Sequence, residues 1–97
     1  MTINVERNFE HVTLEITGRL DATTSPNLEK TVCELPDSTL ELVFDVTGLE
    51  YISSAGIRVL LQAYKRMRRD AVMRVADANE TVRELLDIAG LSELITV

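Results

Sequence analysis

The spacing of apolar residues changes period several times along this chain, and the order of those changes limits the folds open to it. Over residues 2–17 the apolar positions alternate, with Ile3 and Val5 followed by Val12, Leu14 and Ile16 across the polar stretch RNFEH. A period of two reads as a two-stranded hairpin with one buried face. His11 falls on the polar side of the second strand. The spacing then widens to four and three at Leu28, Val32 and Leu35. Ser25 suits the N-cap, Pro26 the first helical position and Pro36 the stop, so a first helix is expected over about residues 26–35.

The segment TLELVFDV, residues 39–46, carries Leu40, Leu42, Phe44 and Val46 on one side and Val43 on the other, as a central strand would. After Gly48 the chain leads into its most strongly periodic helix, ending near Arg68, with Val59, Leu60, Ala63, Tyr64 and Met67 as the apolar stripe. AVMRVAD is another short strand. Asn79 then caps a third helix whose stripe is Val82, Leu85, Leu86 and Ala89, and Gly90 closes it. The last segment, LSELITV, suits either a helical turn or an edge strand.

The resulting order, β-β-α-β-α-β-α, implies an α/β fold with a mixed, mainly parallel sheet opened by an antiparallel hairpin. With 97 residues the chain is expected to form one domain over residues 1–97. Ligands and partners of such sheets meet the carboxyl ends of the strands, where Ser53 and Ser54 fall in the run DVTGLEYISSAGIRVLL.

Sixteen acidic against ten basic residues give a net charge of -6, which repels phosphate backbones and argues against a nucleic-acid partner. No apolar run approaches the roughly 20 residues that cross a bilayer, and MTINVERNFE lacks the blocks of a signal peptide, so a cytoplasmic protein without membrane association is expected. Cys33, the one cysteine, is expected as a small buried hydrophobe. The one basic cluster, KRMRR at residues 65–69, places cations at a helix C-terminus, where they complement the dipole, with Met67 toward the core; the alternative is a contact patch for an acidic partner.

A serine on a strand-to-helix turn invites comparison with the nucleophile elbow G-x-S-x-G, but Ile52 stands where the first glycine belongs, and the single histidine lies far upstream. A serine without a base is a poor nucleophile at neutral pH. The four glycines form no phosphate loop, and one Cys, one His and scattered carboxylates give no metal cluster. No cofactor and no catalytic residue is expected. Asp21 and Asp45 are the carboxylates expected near the serines, Asp45 satisfying loop amides and Asp21 capping a turn.

GRLDATTSPNLEK followed by FDVTGLEYISSAGIRVLL resembles the STAS domain, the fold of bacterial anti-anti-sigma factors, also called anti-sigma factor antagonists. The resemblance runs over about residues 3–94. It implies helices packed largely on one face of the sheet, and a partner-switching function without catalysis. The unphosphorylated protein would bind a cognate anti-sigma factor that is also a serine kinase of the ATP-binding, histidine-kinase-like fold, and so free what that kinase held. Phosphorylation of a serine at the start of the second helix, with ATP and Mg²⁺, would end the complex, and a PP2C-type phosphatase would restore it. Well-known members read D-S-S-G at this turn and accept phosphate on the second serine; here the turn reads S-S-A-G, with Ala55 in that position. Ser54 is the expected acceptor and Ser53 the alternative, with Asp21, Asp45 and Gly56 supporting the site.

The partner surface is expected around Tyr51, Thr24 and Arg58. Alternatives within the resemblance are a non-phosphorylated structural subunit of a lipid-transport ATPase complex, or a switch controlling secretion or biofilm.

Overall fold

The longest strand organises the sheet. In the computed structural model, which describes residues 1–95, β1 (Thr2–Asn8) pairs antiparallel with the ten-residue β2 (His11–Leu20). The first half of β2 pairs in parallel with β3 (Glu41–Asp45), and β3 in turn with β5 (Val72–Ala76), for a strand order β1-β2-β3-β5. The end of β2 pairs instead with the short parallel strand β4 (Leu49–Ile52). Three helices, α1 (Ser25–Cys33), α2 (Ser54–Arg66) and α3 (Glu80–Ile88), and a 3₁₀ turn (Leu91–Glu93) complete the described chain.

Register explains which face is covered. Val12, Leu42 and Met73 lie abreast across three strands, as do Leu14, Phe44 and Val75, and all six are buried. Because side chains alternate along a strand, the intervening row of Thr13, Val43 and Arg74 faces the other way and is half-buried or exposed. The buried rows join Leu28 and Val32 of α1, Val59, Leu60 and Ala63 of α2, and Val82 and Leu86 of α3 in one cluster. The helices therefore pack on one face of a mixed sheet.

Several local expectations need correction. The sequence pattern missed β4, because a four-residue strand buried only at Leu49 and Ile52 shows no clean alternation. Val5 is 47% exposed, since β1 is an edge strand that the helices barely reach. Cys33 is exposed: the buried stripe of α1 runs through Leu28 and Val32, and one residue further turns the side chain by about 100°. Ser25 is the first helical residue and not the cap; the cap position is Thr24, whose hydroxyl is used elsewhere. Leu35 lies beyond α1 yet stays buried, while Tyr64 and Ala89 on the predicted stripes are exposed. Asn79 caps α3 through its side-chain oxygen, which accepts from Val82 N at 2.8 Å, and Gly90 takes the left-handed conformation at φ 79°. The segment LSELITV opens as the 3₁₀ turn; its residues 96 and 97 lie outside the described residues.

Candidate functional site

The carboxyl end of β2 is where the turn, the short strand and the second helix meet. Ser53 N donates to Leu20 O at 2.8 Å, which ties the start of α2 to the end of β2. Gly56 is buried at this junction, and a Cβ there would sit 2.7 Å from Leu20 Cγ and 2.9 Å from Ile52 Cγ1. Only glycine lets the first turn of α2 approach β2 and β4 so closely.

The two serines then divide the work. Ser53 occupies the N-cap in an extended conformation, and its Oγ accepts from Gly56 N at 3.4 Å. Ser54 is the first residue of α2 and is exposed, and no hydrogen bond engages its hydroxyl among the described residues. The first helical bond runs from Ile57 N to Ser53 O, so the amides of Ser54 and Ala55 have no helical carbonyl to meet. Arg58 is exposed four residues on, hence on the same face of the helix as Ser54.

Beside them the residues after β2 form a self-bonded turn. Asp21 Oδ1 accepts from Thr23 N at 2.9 Å and Thr24 N at 3.1 Å, while Asp21 N donates to Thr24 Oγ1 at 2.9 Å. The Thr24 hydroxyl donates to Arg19 O at 2.8 Å, with Asp21 Oδ1 at 3.3 Å. The amides of Thr24 and then Thr23, aided by the Thr24 hydroxyl and the Arg19 charge, hold the Asp21 carboxyl below its ordinary value. Thr24 is thus half-buried by its role in the turn. Next to it, the Arg19 guanidinium stacks over the Tyr51 ring at 4.6 Å. Arg19 and Tyr51 are cross-strand partners in the β2-β4 pair, after a register shift at Gly18 and Arg19. The sequence offered no route to that contact, because the pairing depends on β4.

Asp45 is not brought to the serines. It pairs with Glu15, five residues before Leu20 on β2, so about 16 Å of strand separates their levels. The unforeseen β4 intervenes and carries the chain from one level to the other. Asp45 Oδ1 instead accepts from Thr47 N at 3.1 Å and Thr47 Oγ1 at 2.7 Å, the loop-amide role expected of it.

Serine hydrolysis finds no support in this geometry. The single histidine, His11, begins β2 whereas Ser53 meets its end, about 30 Å away by strand rise, and His11 Nδ1 lies 3.2 Å from Glu41 Oε1. Among the described residues no group of three or more His, Cys, Asp or Glu side chains is placed to hold a metal ion, and no helix is long and apolar enough to cross a membrane.

These features define a class: an α/β module that presents a serine-headed helix beside a rigid turn at the carboxyl edge of its strands. The STAS domain model matches residues 2–97, and the chain belongs to the STAS domain family. It is 27% identical over 95 residues to the anti-sigma-B factor antagonist of Listeria monocytogenes, covering 95% of this chain and 82% of that protein. The fold is that of an anti-sigma factor antagonist from Mycobacterium paratuberculosis, with a TM-score of 0.89 at 24% identity over 98% of this chain and 82% of the other. It is also that of the Bacillus anti-sigma factor antagonist SpoIIAA at 14% identity over 98% of this chain. There the TM-score is 0.82 against the unphosphorylated form, 86% of which is covered, and 0.77 against the phosphorylated form, 89% of which is covered.

Proposed function

We propose that the chain is an anti-sigma factor antagonist that acts by partner switching, with Ser54 as the phosphoacceptor. Unphosphorylated, it binds an anti-sigma factor that is also a serine kinase with the ATP-binding fold of histidine kinases, and binding frees the sigma factor. The kinase transfers the γ-phosphoryl group of ATP to Ser54 Oγ, with Mg²⁺ on the nucleotide, and the complex separates. A PP2C-type phosphatase hydrolyses the phosphoserine and returns the chain to its binding form.

One observation carries the choice of residue: Ser53 spends its hydroxyl on the helix cap, whereas the Ser54 hydroxyl is exposed and uncommitted at the first helical position. A phosphate on Ser54 meets the open first-turn amides and the positive end of the helix dipole, so the fold tolerates it. Arg58 stands one turn away on the same face. The modification adds roughly 1.5 to 2 negative charges, and a charge of that size left unpaired in an interface costs several kcal/mol. Each 1.4 kcal/mol or so is a tenfold loss of affinity, so one phosphate separates the partners without unfolding either. Supporting the reading, the matched relatives are named antagonists of anti-sigma factors, and SpoIIAA is known in unphosphorylated and phosphorylated forms.

The test is to recover the bound kinase from native cells with this chain as bait, incubate the pair with ATP and Mg²⁺, and map the phosphopeptide. Phosphate on Ser54, lost in Ser54→Ala and kept in Ser53→Ala, is expected. Undiminished incorporation in the double variant, or no incorporation in the wild type, rejects the proposal.

A further inference from the structure

The basic cluster at residues 65–69 is only partly explained by helix capping. Four of the ten basic residues in an acidic chain fall within these five positions. Arg66 crosses to α1, where it donates to Val32 O and, at 3.4 Å, to Leu35 O, with Asp37 Oδ1 at 4.0 Å. Arg68 holds Asp70 Oδ2 at 3.0 Å across the following turn. Lys65 and Arg69 are exposed and have no hydrogen-bond or ion-pair partner among the described residues. Together with Arg68 they edge a groove of about 260 Å³ whose remaining walls are Tyr64, Met67, Ala71 and Met73. Both methionines beyond Met1 therefore line it, and methionine is the apolar side chain that adapts best to an incoming group.

More apolar surface lies at the same end of the sheet. Glu10 O accepts from Leu40 N and Leu40 O accepts from Val72 N, so the hairpin tip and the start of β5 are two strand spacings apart, about 10 Å. Val72 is 51% exposed there, and Phe9, at the tip, is 89% exposed. The thirteen residues of α2 put this groove about 18 Å from Ser54, so occupants of the two ends do not collide.

We propose that this groove docks an acidic segment of a partner polypeptide, one bulky apolar side chain packing on Tyr64 and Met67 over a floor formed by the buried Met73, while flanking carboxylates pair with Lys65 and Arg69. The charge of the patch selects an acidic occupant. The volume admits one or two side chains. An isolated anion would leave the thioether walls unused, and the net charge of -6 disfavours a nucleic acid. The inference is independent of the role of Ser54.

The probe is a synthetic peptide of Phe-Leu flanked on each side by four glutamates, titrated into the ¹⁵N-labelled full chain. Controls are the same peptide with Gly-Gly at its centre and orthophosphate at matched ionic strength. Amide shifts confined to residues 64–73 and the hairpin tip are expected, with binding at least tenfold weaker for the Gly-Gly peptide and for Lys65→Glu/Arg69→Glu. Lys65→Gln/Arg69→Gln serves if the charge reversal disturbs the thermal transition. No shifts, shifts centred on Ser54, equal binding of the Gly-Gly peptide or of orthophosphate, or unchanged binding by the variants would each overturn the proposal.

Discussion

Phe9 adopts a positive φ of 58° at the first of two turn residues between β1 and β2, a conformation that suits glycine and strains a bulky side chain. Its ring is 89% exposed and returns little packing for that strain. Phe9→Gly should therefore raise stability by about 1 kcal/mol in chemical denaturation, within the usual range for relieving such a residue; a loss would show that the ring contributes packing in solution. Asp21 makes the opposite case, a charge held in place by its own turn. Its folded pKa lies below the unfolded value, so its contribution is complete above the ordinary aspartate value of 3.8 and is lost as the pH falls through the depressed folded value. Carboxyl NMR should place the Asp21 midpoint below 3.8, and Asp21→Asn should show a shallower loss of stability over that acidic window than the wild type. The turn role of Asp21 was legible from Asp and Thr at short spacing; the stacking of Arg19 on Tyr51 was not, because those residues lie far apart in the chain and meet only through β4.

The second helix combines a structural cap at Ser53 with an exposed serine, Ser54, as its first residue. Ser53→Ala should cost about 1 kcal/mol through the lost cap, whereas Ser54→Ala should leave the thermal transition nearly unchanged. Equal costs would mean that the two hydroxyls share the cap. Gly56→Ala forces a methyl against Leu20 and Ile52 and should destabilise by roughly 1–3 kcal/mol. It should also displace the first turn of α2, visible as amide shifts at Ser53 and Ser54. The apolar stripe of α2 made that helix legible from spacing alone. Its tight seat on β2 and β4 was not legible, since β4 itself has too few residues to declare a period.

Taken whole, the molecule has two proposed sites at opposite ends of α2, with Ser54 at one and the basic groove at the other. Phosphorylation would take the net charge from -6 to about -8, adding roughly 2 negative charges beside Arg58 while leaving the core untouched. If the proposed kinase partner docks on this face, Arg58→Glu should weaken its binding at least tenfold by titration calorimetry, with the thermal transition nearly unchanged because Arg58 is exposed. Unchanged affinity would place the partner surface elsewhere.

The sequence alone determined those features whose partners lie within a few residues: three periodic helices, the Asn79 cap, the Gly90 stop, the hairpin, and the serines at a helix start. Each depends on local spacing, which a linear reading measures directly. The tertiary structure decided which levels of the sheet those pieces occupy. It inserted β4 opposite the end of β2, left Asp45 about 16 Å below the serines, exposed Cys33, and sent Arg66 across to the end of α1. Those outcomes rest on hydrogen bonds and packing between residues distant in the chain, and short apolar runs carry no record of the register in which they pair.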